Sequence, residues 1–261
     1  MLDILFLLVS LFCALILLVY KLKKSGFFDN VEVTVSNKPP ILNQSIVIFY
    51  KRHVGAYKHA ASVFKEVSAL TPSNAITFGI YYDDPELVKP HLLQSAIGVV
   101  YGVNGTDLYP ANYAEQLTRW GYERMTVPAV QSAVVATQRY DGFFSMIALT
   151  QFTYSKIKAY IKMHNLNAPI AVEFFENDKI HLILPLEQHD EFLIPQLLSV
   201  EDLETQLARR KWDSDEGESC SEDDENRVDE DDVYDSQCSV EKGTEHVASD
   251  ALTASDHVKS E

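Results

Sequence analysis

The first pattern along the chain is a stretch with no polar face at all. Ile4–Tyr20 runs 17 residues without a charge, and 13 of them are Leu, Ile, Phe or Val. A helix of that length covers about 26 Å, the short end of what spans a bilayer. Burying those side chains in hydrocarbon gains about 6 kcal/mol. We therefore expect a membrane span from Ile4 to Tyr20, with lipid as its partner. A cleaved signal peptide is the competing reading. It calls for a basic start and a small-residue cleavage site, whereas the only charge before the run is Asp3 and the run ends in Val19-Tyr20-Lys21-Leu22-Lys23-Lys24. Lys21, Lys23 and Lys24 follow the span and no Lys or Arg precedes it, so the N-terminus is expected to be lumenal and the rest cytosolic. On that orientation the sequons at Asn43 and Asn104 stay unglycosylated.

Beyond the span the period changes repeatedly. Val31–Val35 alternates, and Ile46–Tyr50, Ala75–Tyr82 and Ala96–Tyr101 read as strands. Between the first two of these compact strands, Gly55 opens a stretch with apolar residues at Ala60, Val63, Phe64, Val67 and Leu70, which is helical spacing. The order strand, helix, strand, strand then recurs. Ala133–Thr137 is followed by Gly142, a helix carrying Phe144, Ile147, Ala148, Tyr154, Ile157 and Ile161, and strands at Ile170–Phe175 and Ile180–Leu184. Lys51-Arg52-His53-Val54-Gly55-Ala56-Tyr57 and Gln138-Arg139-Tyr140-Asp141-Gly142-Phe143-Phe144 place Arg, Gly and an aromatic at the same spacing, 87 residues apart. A helix around Asn112–Trp120 and a strand around Tyr122–Val127 link the two units. One such unit alone exposes an apolar face, and two cover each other. The expected class is α+β, divided into an anchor with a basic flank (1–24), a linker and leading strand (25–45), a domain of two strand-helix-strand-strand repeats (46–200), a short helical segment (201–212) and a tail (213–261).

Charge sharpens that division. The net charge is −16, and residues 213–261 hold 18 of the 38 acidic residues but only 3 of the 22 basic ones. The body is therefore near neutral, with no basic excess to attract a phosphate backbone, and nucleic acid is not expected as its partner. The tail has one aromatic, Tyr234, and few large aliphatics, a composition that cannot bury enough surface to fold. Of the three cysteines, Cys13 lies in the apolar run and Cys220 and Cys238 in the tail. This rules out a disulfide scaffold and leaves no metal spacing.

The repeat layout resembles the gyrase-inhibitory-protein-like (GyrI-like) effector-binding domain, related to SOUL haem-binding domains. The wider order of blocks is VEVTVSNKPPI, IFYKRHVGAY, IYYDDPELV and VEFFENDKIHLILPL between an N-terminal anchor and an acidic tail. It is similar to a family of endoplasmic-reticulum membrane proteins that act as receptors for selective autophagy. That resemblance implies a cytosolic GyrI-like domain for cargo or partner recognition and a tail that recruits ubiquitin-like autophagy modifiers. It implies a hexameric AAA unfoldase as a further partner. Modifier recognition needs an aromatic followed three positions later by Leu, Ile or Val near acidic residues, which adds a strand to the modifier's sheet. The candidates are Trp212, followed by Asp215, and Tyr234, followed by Gln237; both lack the aliphatic. The bland reading of each is a solvated aromatic. Ser219 and Ser221 have acidic residues three positions on and read as kinase sites.

In the body, Glu173 shares a strand face with Ala171 and Phe175. The resemblance implies that a glutamate there faces a groove and contacts a ligand; the alternative is a carboxylate paired with Arg52 or Arg139. Tyr50, Tyr81, Tyr82 and Trp120 are candidates to line the groove. The chain contains no GxSxG, HExxH or phosphate-cradling glycine loop, and the body no cysteine nucleophile. We expect a protein that is not an enzyme, with no catalytic residue, metal or cofactor. The runner-up is a membrane-tethered sensor or hydrolase working through Glu173.

Overall fold

The computed structural model describes residues 2–215. It begins with α1 (Leu2–Lys24), of which Asp3–Lys24 is long and apolar enough to cross a membrane, and its apolar stretch is left exposed among the described residues. Then come β1 (Val33–Ser36), β2 (Ile46–Val54), a 3-10 turn at Tyr57–Ala60, α2 (Ala61–Leu70), β3 (Thr77–Tyr81) and β4 (Gln94–Val103). The two-residue β5 (Thr106–Asp107), α3 (Ala111–Arg119), β6 (Glu123–Val127) and β7 (Ala133–Arg139) follow. The chain continues through α4 (Phe143–Ala148), a π-helical turn at Leu149–Thr153, α5 (Tyr154–His164), β8 (Ala171–Glu176), β9 (Lys179–Pro185) and α6 (Val200–Asp215).

Among the described residues the nine strands belong to one sheet, in the order β1-β7-β9-β8-β3-β4-β2-β6, with β5 attached to β4. From the centre outwards the order is palindromic: β3 beside β8, flanked by β4 and β9, then β2 and β7, then β6 and β1. The two strand-helix-strand-strand units therefore join side by side along β3 and β8. Phe78 lies directly opposite Phe174 at that junction, and both are buried.

Period-two alternation gives each strand two apolar faces, and both are covered. On one face Ile46, Ile48, Phe78, Ile80, Val135, Val172, Phe174 and Ile183 pack beneath loop residues Leu42, Val130, Phe192 and Ile194. The helices cover the other face in two separate patches. Val67 and Leu70 of α2 and Leu117 of α3 lie on Phe49, Val99 and Tyr101. Leu149 and Ile157 lie on Val134, Ala136, Ile180 and Leu182. The region expected as a groove lies between the patches over β3 and β8, and aromatic side chains fill it.

The stretch after α1 is packed rather than extended. Ser25 and Gly26 are buried, and β1 pairs with β7 as an edge strand. The helix expected at 201–212 extends to Asp215, where the description ends.

Candidate functional site

Glu173 lies on the helix-facing side of β8, where the two halves meet. It is 4% exposed. Its neighbour across the sheet is Gly79 of β3. A Cβ at that glycine would lie 2.9 Å from the Tyr81 hydroxyl, so the missing side chain is what lets the Tyr81 ring fold back over β3. From there Tyr81 Oη donates to Glu173 Oε2 at 3.0 Å. Tyr154, on the first turn of α5, donates to Oε1 at 2.6 Å. One phenol comes from each repeat, and each occupies one carboxylate oxygen.

Burial pushes the Glu173 carboxyl above its ordinary range, while the two phenol hydrogen bonds pull it back by favouring the charged form. Burial, and then the nearby carboxylate, hold the Tyr81 and Tyr154 hydroxyls well above the usual tyrosine value, so both remain donors. The surrounding space is filled by rings. Tyr57 meets Tyr81 edge-on at 4.8 Å between centroids. Phe64 and Tyr140 meet Phe175 at 5.1 and 5.4 Å. One end of the groove is bridged from α5 to the β3–β4 connection: Lys158 Nζ lies 3.1 Å from Asp84 and 2.9 Å from Glu86. Chemically, the site is a buried carboxylate already satisfied by the protein itself.

Of the expected groove residues, the structure brings only Tyr81 to Glu173. Tyr50 and Tyr82 lie on the opposite, loop-covered face. The Tyr50 hydroxyl bonds Glu123 and Gln196, and Tyr82 donates to the Phe192 carbonyl. The reason is strand parity, since β2 and β3 turn those side chains away. Trp120 caps α3 at the β6 edge of the sheet and is exposed. Arg52 donates to Gln94 Oε1 at 2.7 Å and Arg139 pairs with Asp29 at 3.2 Å. The partners of Glu173 are thus phenols from both halves. Tyr154 and Tyr57 were missed as site residues. The signal for Tyr154 is a tyrosine on an apolar helix stripe, whose hydroxyl needs a buried partner; Tyr57, in a 3-10 turn, carries no such pattern.

A second polar cluster lies where α1 meets the body. Ser145 Oγ donates to the Ser25 carbonyl at 2.9 Å and accepts from the Asp141 amide at 2.8 Å. Gln138 donates to the Ser145 carbonyl and accepts from Thr153 Oγ1 at 2.6 Å. The π-helical turn ends at Thr153 and places that hydroxyl over β7, a local device often found at functional positions. Lys24 reaches Asp141 at 3.3 Å.

Trp212 falls on α6, while Tyr234, Ser219 and Ser221 lie outside the described residues. Among the described residues no group of three His, Cys, Asp or Glu side chains is placed to hold a metal ion.

No model of a known protein family matches the chain. It is 28% identical over 177 residues, 68% of its length, to human testis-expressed protein 264, and equally to the mouse homolog. It spans about half the length of these curated relatives, 55% and 56%. Among solved structures it is similar to EcmrR in a DNA complex, with TM-score 0.40, 14% identity and coverage of 71% of this chain and 69% of that one. It is also similar to a hydrolase from Listeria innocua, with TM-score 0.34, 11% identity and coverage of 64% and 98%. Likeness at this level says nothing of activity.

Proposed function

We propose that this protein is a membrane-anchored adaptor in selective autophagy of the endoplasmic reticulum. In this reading α1 holds a GyrI-like body at the cytosolic face, the body recognises cargo or partner proteins, and the acidic segment 213–261 recruits ubiquitin-like autophagy modifiers through Tyr234, or through Trp212 just before it. Phosphate on Ser219 or Ser221 adds charge beside those aromatics. A hexameric AAA unfoldase is a further partner on the strength of the resemblance alone.

The observation that carries this reading over a small-molecule one is the state of the groove. Glu173 has both oxygens taken by Tyr81 and Tyr154 and is almost without solvent contact. A sensor or hydrolase needs that carboxylate open to its ligand, and a preformed cleft to hold it. An adaptor needs only a stable body. The uncovered apolar helix and the similarity to testis-expressed protein 264 support the same reading.

The test is a replacement experiment in cells, reading lysosomal cleavage of an endoplasmic-reticulum reporter. Deleting 213–261 abolishes the flux, and Glu173→Gln leaves it unchanged. The reverse pattern favours the groove-based sensor or hydrolase. Protease added outside sealed microsomes removes the body and the acidic segment; full protection of both overturns the topology.

A further inference from the structure

Around the end of α1, large aromatic side chains remain outside the core. Phe28 is 66% exposed, Phe143 73% and Phe152 47%. They belong to one place. Phe27 meets Phe28 edge-on at 5.4 Å and Phe152 at 5.3 Å. Phe143 stands between Asp141, which pairs with Lys24, and Ser145, which bonds the Ser25 backbone. All three therefore ring the last turn of the apolar helix.

The ring is held in place by the body. Ser25 and Ser145 are buried, and the Ser145–Gln138–Thr153 bonds tie the helix exit to β7. Swinging the body away from the end of α1 breaks these bonds and the packing around them. The two acidic side chains nearby are each matched, Asp141 by Lys24 and Asp29 by Arg139, while Lys21 and Lys23 stay exposed.

We propose that Phe28, Phe143 and Phe152 form a collar that inserts into the headgroup layer of the bilayer, so that the body is seated on the membrane rather than suspended above it. This rests on the reading of α1 as a membrane span. The occupant follows from continuity. An apolar helix that the described residues leave uncovered is one hydrocarbon can cover, and the collar begins where that helix ends. The headgroup layer is about 5–8 Å deep on each side, and the chain turns back just after Lys24, with Gly26 at positive φ and the Phe27 amide bonded to the Leu22 carbonyl, so Phe28 stays near the end of the helix. An apolar aromatic surface flanked by lysines is the composition that lies in this layer, and Lys21 and Lys23 favour anionic lipid. The consequence for function is orientation: seating the β1–β7 side of the sheet at the membrane points the β6 edge, with Trp120, away from it.

The test uses the full chain reconstituted in bilayers containing a lipid brominated on its acyl chain near the headgroup. Trp212→Phe is introduced throughout, and Trp120→Phe in every variant except a control that keeps Trp120. Single tryptophans are then placed by Ile16→Trp, Phe28→Trp, Phe143→Trp or Phe152→Trp. Fluorescence of Ile16→Trp is strongly quenched and that of native Trp120 is not. The three collar variants are quenched at least about half as strongly as Ile16→Trp, as interfacial depth requires. Quenching of Ile16→Trp without quenching at the collar overturns the collar and leaves the anchor standing. This holds whether the collar fluorescence reports water or, by a blue shift, cover by another protein. Absence of quenching at Ile16→Trp overturns the anchor and the collar together.

Discussion

The two repeats share a topology, yet the segment that leaves the first strand does different work in each. In the first repeat Gly55 takes a positive φ and Tyr57 turns inward, donating to the Asp83 carbonyl at 2.8 Å and packing on Tyr81. That segment closes the groove. In the second repeat Gly142 also takes a positive φ, but Phe143 after it is exposed and Ser145 turns in to hold the end of α1. Where the second repeat has Ser145, the first, 87 residues earlier, has the exposed Lys58. The apolar pattern is common to both halves because each must cover its own part of the sheet. The polar positions of the connecting segments are where the halves have diverged.

The strongest way to break the comparison is at the junction both halves share. Phe174→Ala removes a ring buried opposite Phe78. It should cost about 3–5 kcal/mol, read as a lowered urea midpoint in detergent. If the halves stabilise each other, probes in both repeats lose structure in one transition. Two separated transitions would mean that each repeat folds alone.

The next effect tests whether the groove is one unit built from two halves. Tyr154→Phe leaves the buried Glu173 with a single donor and should cost about 1–3 kcal/mol, and Tyr81→Phe a similar amount. The two together should depart from additivity by about 0.5–3 kcal/mol, because they share one carboxylate. Glu173 also gives a pH signature. Its folded value is raised, so the folded chain holds the proton to higher pH than the unfolded chain, whose value is the ordinary 4.5. Stability therefore falls as pH rises through the window from 4.5 to the folded value, and is level above it. Glu173→Gln should remove that slope. Tyr154→Phe should extend it to higher pH, since it deletes a bond that favours the charged form.

Most of this architecture is legible in the amino-acid pattern, and what is not shares one cause. Strands such as Ile46–Tyr50 and Ala133–Thr137 were visible because burial on both faces leaves continuous apolar runs. In the structure they run on to Val54 and Arg139, an extension hidden by the polar residues Lys51, Arg52, His53, Gln138 and Arg139. The face of Glu173 followed from period two. Its partners did not, because local alternation says nothing about which strands become neighbours. Tyr82 is adjacent to Tyr81 yet bonds Phe192 on the far side of the sheet. Tyr154 reaches Glu173 only because the π-helical turn and α5 cross the sheet at one particular place. The docking of residues 25–30 was equally hidden, since its recognition is carried by serine, glycine and backbone carbonyls that have no periodic signature.

Ser145→Ala sharpens the comparison from the other half. It leaves the Asp141 amide and the Ser25 carbonyl without their shared hydroxyl, for about 1–2 kcal/mol. Hydrogen exchange should rise at residues 25–30 and 141–145 while the segment around Tyr57 keeps its protection. A uniform rise would show that the two connecting segments are not independent.

The smallest effect belongs to Lys158, which bridges α5 to Asp84 and Glu86 across the open end of the groove. All three side chains are substantially exposed, so Lys158→Ala should cost below about 1 kcal/mol, and added salt should shrink even that. Its value is diagnostic. Where the bridge only decorates a groove already filled by Tyr57, Tyr81 and Tyr154, removing it leaves the pH slope from Glu173 unchanged and Glu173 as shielded from solvent as before. Where the bridge is what keeps the groove shut, the same substitution admits water, brings the Glu173 carboxyl down towards its ordinary range, and shortens the pH window over which stability falls. Urea midpoints of Lys158→Ala across that window separate the two outcomes even though the change at any single pH is small.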